Sequence, residues 1–203
     1  MNELSLTPRH AESGAAQELE RRLALVGPRD TTRGFLFGTA LEAVKRQTSA
    51  AALKRCVDVA GSHQFTAFFA YPISTLLKLT YAAARELRGL HGGFDGAMRH
   101  LGFHAAPRFL DSAAGRMMLS FVGRDPRRLF EGMPTAYRTA WEHGGCALAW
   151  TGLRRGRLQY TNALPAAYFV GSVQQMLMSA GLQGTVTSQQ NHLTEFTVDF
   201  SWQ

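Results

Sequence analysis

The stretch Gly144–Gln203 reads GGCALAWTGLRRGRLQYTNALPAAYFVGSVQQMLMSAGLQGTVTSQQNHLTEFTVDFSWQ, and it decides the fold. Phe196, Val198, Phe200 and Trp202 alternate with Glu195, Thr197, Asp199 and Ser201, the period of a strand with one buried face. Cys146, Leu148 and Trp150 alternate with small residues, and Leu158 and Tyr160 alternate with Arg157, Gln159 and Thr161. Between them Arg154-Arg155-Gly156 predicts a hairpin turn. Pro165 opens a helix with Phe169, Val173, Met176, Leu177 and Ala180 on its packing face, and Gly181 stops it. The order strand, strand, helix, strand, strand predicts a four-stranded antiparallel sheet with a helix on one face.

Upstream the apolar spacing is helical. Residues 1–14 are polar and read as a flexible tail, leaving a single α+β domain over 15–203, helical in 15–143 and sheet-forming in 144–203. Ala15 to Val26 predicts a short helix stopped by Gly27-Pro28, and Asp30 or a following Thr is positioned to cap the next helix. Ser49 to Ala60 reads as a helix ended by Gly61. The aromatic run from Phe65 to Tyr71-Pro72 precedes a helix with Ser74 or Thr75 as its cap. Phe94 to Ala105 is helical, Pro107 suits the first position of a further helix reaching Gly123, and Asp125-Pro126 repeats a cap-plus-proline start. Helices with apolar faces need a surface to cover, and the C-terminal sheet supplies it.

Bulk properties bound the function. A chain of 203 residues with 45% hydrophobic and 18% charged content is a compact globular protein, large enough to bury roughly 70% of its unfolded surface. The net charge of +7 comes mostly from scattered Arg residues. No nucleic-acid motif accompanies it, so a basic nucleic-acid binder stands only as an alternative. Cys56 and Cys146 sit in apolar runs, the N-terminus lacks a leader pattern, and no apolar segment approaches the ~18 residues of a membrane span. These features predict a cytoplasmic protein.

No catalytic signature emerges. Ser112, Ser120 and Ser172 lack a nucleophile elbow, neither cysteine has a His or acidic residue at recognisable spacing, and the glycines mark helix ends rather than phosphate loops. His100 and His104 share a helical face, which leaves a metal-dependent enzyme as a second alternative, but Leu101 stands where a zincin-like site needs Glu. His91 lies across a glycine break from them. No metal ligand set and no cofactor is assigned. The tentative ligand-pocket residues are Phe69, Tyr71, Phe121, Trp150, Tyr160 and Tyr168, whose rings either line a cavity with Tyr and Trp handles or seal a dry core.

Several segments together carry a family resemblance. They are Asp30-Thr-Thr-Arg-Gly34-Phe-Leu-Phe37, Tyr71-Pro72, Asp125-Pro-Arg-Arg-Leu129, Tyr137-Arg-Thr-Ala140 and Val198-Asp-Phe-Ser-Trp202. In combination they resemble an uncharacterised family of about 200-residue proteins with many paralogues in myxobacteria. The element order of the C-terminal part, with Tyr168-Phe-Val-Gly171 at its helix start, is more distantly similar to a ligand-binding superfamily. That superfamily holds the 4-vinyl reductase-type domain, the haem nitric-oxide-binding domain and the TRAPP subunits. The resemblance implies a non-enzymatic sensory or regulatory module that binds a small apolar ligand or a protein partner and forms a homodimer. The haem-binding branch uses a tyrosine, serine and arginine at alternating positions. Tyr71-Pro-Ile-Ser74 has no arginine to complete that set, so haem is not carried over. Cys56 is the one helical thiol that a TRAPP-type acylation could use, and no local motif supports it.

Overall fold

The computed structural model describes residues 8–110 and 125–203. Its helical part comprises α1 (Pro8–Leu23), α2 (Phe35–Gln47), α3 (Ala50–Ala60), α4 (Ile73–Leu87) and α5 (Phe94–Leu110), with the short strands β1 (Thr31–Arg33) and β2 (Ala70–Pro72) among them. After residue 124 come α6 (Pro126–Glu131), α7 (Met133–Ala140), β3 (Gly145–Gly152), β4 (Arg155–Thr161), α8 (Ala166–Ser179), β5 (Gly184–Gln190) and β6 (Glu195–Trp202). The sheet order is β3-β4-β6-β5, antiparallel throughout. This is the expected α+β layout of strand, strand, helix, strand, strand.

Local chemistry accounts for most boundaries. Ser49 caps α3 by accepting from the Ala52 N–H at 3.2 Å, and Gly61 ends it in the left-handed region at φ 72°. Asp125 caps α6 by accepting from the Arg127 N–H at 2.9 Å, with Pro126 at the first helical position. α4 is buried on nearly every side because α1, α2, α3 and α5 all pack on it. Arg22 is buried at the end of α1, donating to the carbonyls of Ala163 (2.9 Å) and Leu193 (2.6 Å) and pairing with Glu18 at 2.6 Å. A buried charge of this kind needs such partners.

Several sequence expectations are corrected. α1 starts at Pro8, inside the stretch read as a tail. Asp30, Thr31 and Thr32 cap no helix; the side chain of Asp30 accepts from the Gly27 N–H at 2.6 Å, and Thr31–Arg33 pair with Ala70–Pro72 as a two-stranded ribbon. That ribbon ties the first helices to the end of α7 and the segment before β3: Thr32 donates to the Ala140 carbonyl at 2.8 Å, the Thr31 carbonyl accepts from the Glu142 N–H at 3.0 Å, and Arg33 meets Glu142 at 2.8 Å. Pro72, not Ser74 or Thr75, stands at the start of α4, because the chain arrives extended from β2. Pro107 lies within α5, where it forfeits one backbone bond near the end of the helix rather than starting another. Most of the helix expected to follow it lies outside the described residues. The β3–β4 turn falls at Leu153-Arg154. Gly156 is instead within β4, where a Cβ would come within 2.4 Å of the Phe200 ring.

The sheet has one buried face, formed by Leu158, Tyr160, Phe196, Val198 and Phe200. α8 packs on it over β5 and β6, and α5 lies behind α8. At that helix–helix contact, a Cβ on Gly102 would meet the Tyr168 carbonyl at 1.7 Å and one on Gly171 the Arg99 carbonyl at 1.8 Å. The two backbones touch, and no side chain fits between them.

Candidate functional site

The buried face of the sheet carries two aromatic clusters. At the hairpin end, Phe130 of α6 stacks on Phe200 at 4.0 Å and 21°, and Phe200 lies nearly parallel to Trp202 at 9°. Trp150 closes the side edge-on, and the Arg127 guanidinium sits 4.0 Å from the Trp150 ring centre. Arg127 also donates to the carbonyls of Gly152 (3.3 Å) and Leu153 (2.9 Å), which fixes it over the indole. This end is sealed.

At the opposite end the rings tilt. Phe169 of α8 meets Tyr160 at 4.6 Å and 37°, Phe196 at 5.2 Å and 43°, and Trp141 at 6.1 Å and 43°. Tyr137 and Trp141, four apart across the end of α7, supply the wall facing them. Rings crossed at these angles leave a gap, and a cavity of about 90 Å³ lies there. Phe35 and Leu36 of α2, Ala105 of α5, Met133 and Met176, and Tyr168 and Ser172 of α8 complete its lining.

The polar groups around this cavity differ in how well they are partnered. The Tyr137 hydroxyl lies 2.9 Å from the Thr161 carbonyl and 3.1 Å from that of His143, and it accepts from the Asn162 amide at 2.7 Å. Asn162 is itself buried and accepts from the Leu164 N–H at 2.8 Å. Ser172 donates to the Gly102 carbonyl at 3.0 Å. The Tyr160 hydroxyl is buried and, among the described residues, has no hydrogen-bond partner. Cys146, its neighbour across the β3–β4 register, brings a thiol beside it as a weak polar contact. Burial raises the pKa of Tyr137, Tyr160 and Tyr168 far above the usual phenol range and pushes the Cys146 thiol up to about 12, so all four stay neutral.

Of the residues expected at a pocket, Tyr160 and Tyr168 meet at this cavity. Trp150 belongs to the sealed cluster. Tyr71 packs on Phe37 and Phe65, accepting from the Thr66 N–H at 2.9 Å. Phe69 is 66% exposed before β2, and Phe121 lies outside the described residues. Tyr137, Trp141, Phe169 and Asn162 were not singled out from sequence; the i, i+4 spacing of Tyr137 and Trp141 was the signal available. Cys56 is fully buried, which pushes its thiol up to about 11.

His100 and His104 face α2, away from the cavity. Gly92 and Gly93, at φ 70° and 106°, reverse the chain so that His91 stacks on His100 at 3.8 Å. The Gln47 amide bridges them, with its nitrogen 2.5 Å from His100 Nε2 and its oxygen 2.7 Å from His91 Nε2. His104 meets His100 edge-on. Among the described residues no group of three or more His, Cys, Asp or Glu is placed to hold a metal ion, and no helix is long and apolar enough to cross a membrane.

The α+β arrangement of this chain is similar in fold to the H-NOX proteins. The chain is 12% identical to the H-NOX protein from K. algicida in its Fe(II) unliganded state, covering 84% of this chain and 96% of that one at a TM-score of 0.66. It is 8% identical to the H-NOX protein from S. oneidensis in the Fe(II)NO ligation state, covering 84% and 99% at 0.66. It is 12% identical to an oxygen-binding H-NOX domain related to soluble guanylate cyclases, covering 84% and 94% at 0.58. The chain belongs to the family described as "Protein of unknown function (DUF2378)", whose model matches residues 25–203. No curated protein matches it in sequence.

Proposed function

We propose that the chain is a sensory or regulatory module, without catalytic chemistry of its own, that binds a small apolar molecule in the cavity between α7, β4 and α8. The observation that carries this reading is the cavity itself: a gap walled by aromatic rings and methionines on the buried face of a sheet that is tightly sealed at its other end. Apolar space of this character takes up apolar guests. Met133 and Met176 give the wall some adaptability.

The fold relatives hold haem iron, and the residues present here do not fit that group. At about 90 Å³ the cavity is well below the roughly 300–1,000 Å³ of drug-sized ligand sites. The α5–α8 contact closes backbone to backbone, and among the described residues no imidazole, thiol, Arg or Lys lines the cavity to hold iron or propionates. Titration of the purified protein with hemin is therefore expected to give no stoichiometric Soret band. Xenon under pressure tests the cavity directly, with one saturable site expected by NMR or diffraction; exclusion of xenon sinks the proposal.

The same reading includes a cytoplasmic, myxobacterial protein that pairs as a homodimer. Support for pairing comes from β5, an edge strand with no charged residue in Gly184–Gln190 and with almost every residue exposed. Backbone bonds of Gln203 to Gln183 and of Asn191 to Glu195 set the alternation, so Val186, Ser188 and Gln190 direct their N–H and C=O groups outward. Such an edge is a template for a second strand. Ser188→Pro removes only an outward N–H and is expected to convert a dimer to a monomer in light scattering. A monomeric wild type ends the dimer reading.

A further inference from the structure

Resting on the cavity reading above, the structure also indicates what kind of molecule fits. Four constraints converge. The volume is about 90 Å³, while an apolar cavity of about 150 Å³ holds benzene, so the part of the guest that it takes in has roughly four or five heavy atoms. No ionisable lining group carries charge at neutral pH, because the tyrosines stay protonated, so the guest is neutral. The walls are otherwise apolar, so most of the guest is hydrocarbon. The fourth constraint is Tyr160.

A buried hydroxyl without a partner is rare, because leaving it unsatisfied costs more than a typical hydrogen bond returns. Among the described residues, the Tyr137 hydroxyl is used by Asn162 and two carbonyls and Ser172 by the Gly102 carbonyl. The buried Tyr160 hydroxyl has only the Cys146 thiol beside it, at best a weak acceptor. A water would meet that one free donor among apolar walls, short of the two to four partners buried waters take. A single carbonyl or ether oxygen on a small hydrocarbon satisfies the hydroxyl and fills the gap at once.

We infer that the ligand is a small neutral molecule with one hydrogen-bond-accepting oxygen, held by donation from the Tyr160 hydroxyl and packed against Phe169 and Trp141. The test pairs 2-butanone with its isostere 2-methyl-1-butene, in which a methylene replaces the oxygen, measured by ligand-observed NMR on the full chain and on Tyr160→Phe. The wild type is expected to prefer the ketone roughly fivefold, the value of one net hydrogen bond. Tyr160→Phe is expected to bind both about equally, with near-UV circular dichroism confirming an intact core. Equal binding by the wild type, or a ketone preference that survives in Tyr160→Phe, overturns the assignment of Tyr160 while leaving the cavity reading in place. Failure of both probes to bind either protein overturns the two together.

Discussion

The two aromatic clusters on the sheet share a surface and residue types, yet one is sealed and the other holds a cavity. The difference lies in what faces them. Phe200, Trp202 and Phe130 stack nearly parallel over Gly156, where the absent side chain makes room for a ring, and Trp150 with Arg127 closes the remaining side. Tyr160, Phe169 and Phe196 face a helix end instead. There Tyr137 is tied to the sheet through Asn162 and two backbone carbonyls, so it cannot shift inward to fill the gap. That polar anchor fixes one wall of the cavity.

The largest expected effect comes from emptying each cluster in turn. Phe130 is wholly buried and packs on both Phe200 and Trp202, so Phe130→Ala is expected to cost about 3–5 kcal/mol in chemical denaturation. Phe169 already borders empty space and loses fewer contacts, so Phe169→Ala should cost about 1–2 kcal/mol less, within the same scale. The second variant should also admit benzene, whereas Phe130→Ala should leave xenon uptake at the original cavity unchanged. Equal costs would mean that the two clusters are packed alike.

Asn162→Ala tests the anchor. It removes the donor to Tyr137 and the acceptor for the Leu164 N–H, both buried, and is expected to cost about 2–3 kcal/mol. If the anchor keeps the cavity open, the loosened Tyr137 moves inward and xenon uptake falls as well. Loss of stability with full xenon uptake would detach the anchor from the pocket.

How much of this contrast could be read beforehand follows from the same physics. Alternation in Glu195–Trp202 and in Arg157–Thr161 placed Tyr160, Phe196 and Phe200 on one face, because strand period is a local property of the chain. The sheet and its helix were legible for that reason. Which rings stack and which tilt depends on contacts between distant segments, such as Asn162 with Tyr137 or Phe130 with Phe200, and no spacing encodes them. The Asp30–Arg33 segment shows the same limit: its residues look like a helix cap, yet they tie the β1–β2 ribbon to the end of α7 through partners more than a hundred positions away. Phe69 and Tyr71 looked like pocket residues because they are aromatic; their loop packs on α2 instead.

Acid separates both clusters from a third region. Burial, with His91 and His104 as lesser causes, holds His100 at about 4 instead of the ordinary value near 6.5. His104 is lowered too, by burial first and then by Arg46 and His91. Between pH ~6.5 and ~4 the unfolded chain binds protons that the folded chain does not, so stability falls as pH drops through that window and levels off below it. His100→Gln should flatten that part of the pH–stability curve. Xenon uptake should stay constant across it while the protein is folded, since these imidazoles face α2 and, among the described residues, the cavity lining carries no group that titrates there.

The smallest effect tests the seal. Arg127 covers the Trp150 face and ties it to the β3–β4 turn, so Arg127→Ala loses a partly exposed cation–π contact worth about 0.5–1 kcal/mol. Arg127→Lys keeps the charge but not the planar fork that reaches both turn carbonyls, and it should recover only part of the loss. Trp150 fluorescence separates packing from charge. A red shift in Arg127→Ala that Arg127→Lys largely reverses means that the side chain excludes water from the indole, and that the hairpin end is sealed by a lid as much as by its stack. If neither variant moves the emission, Phe200 and Trp202 seal that end by themselves, and the contrast between the clusters reduces to ring orientation alone.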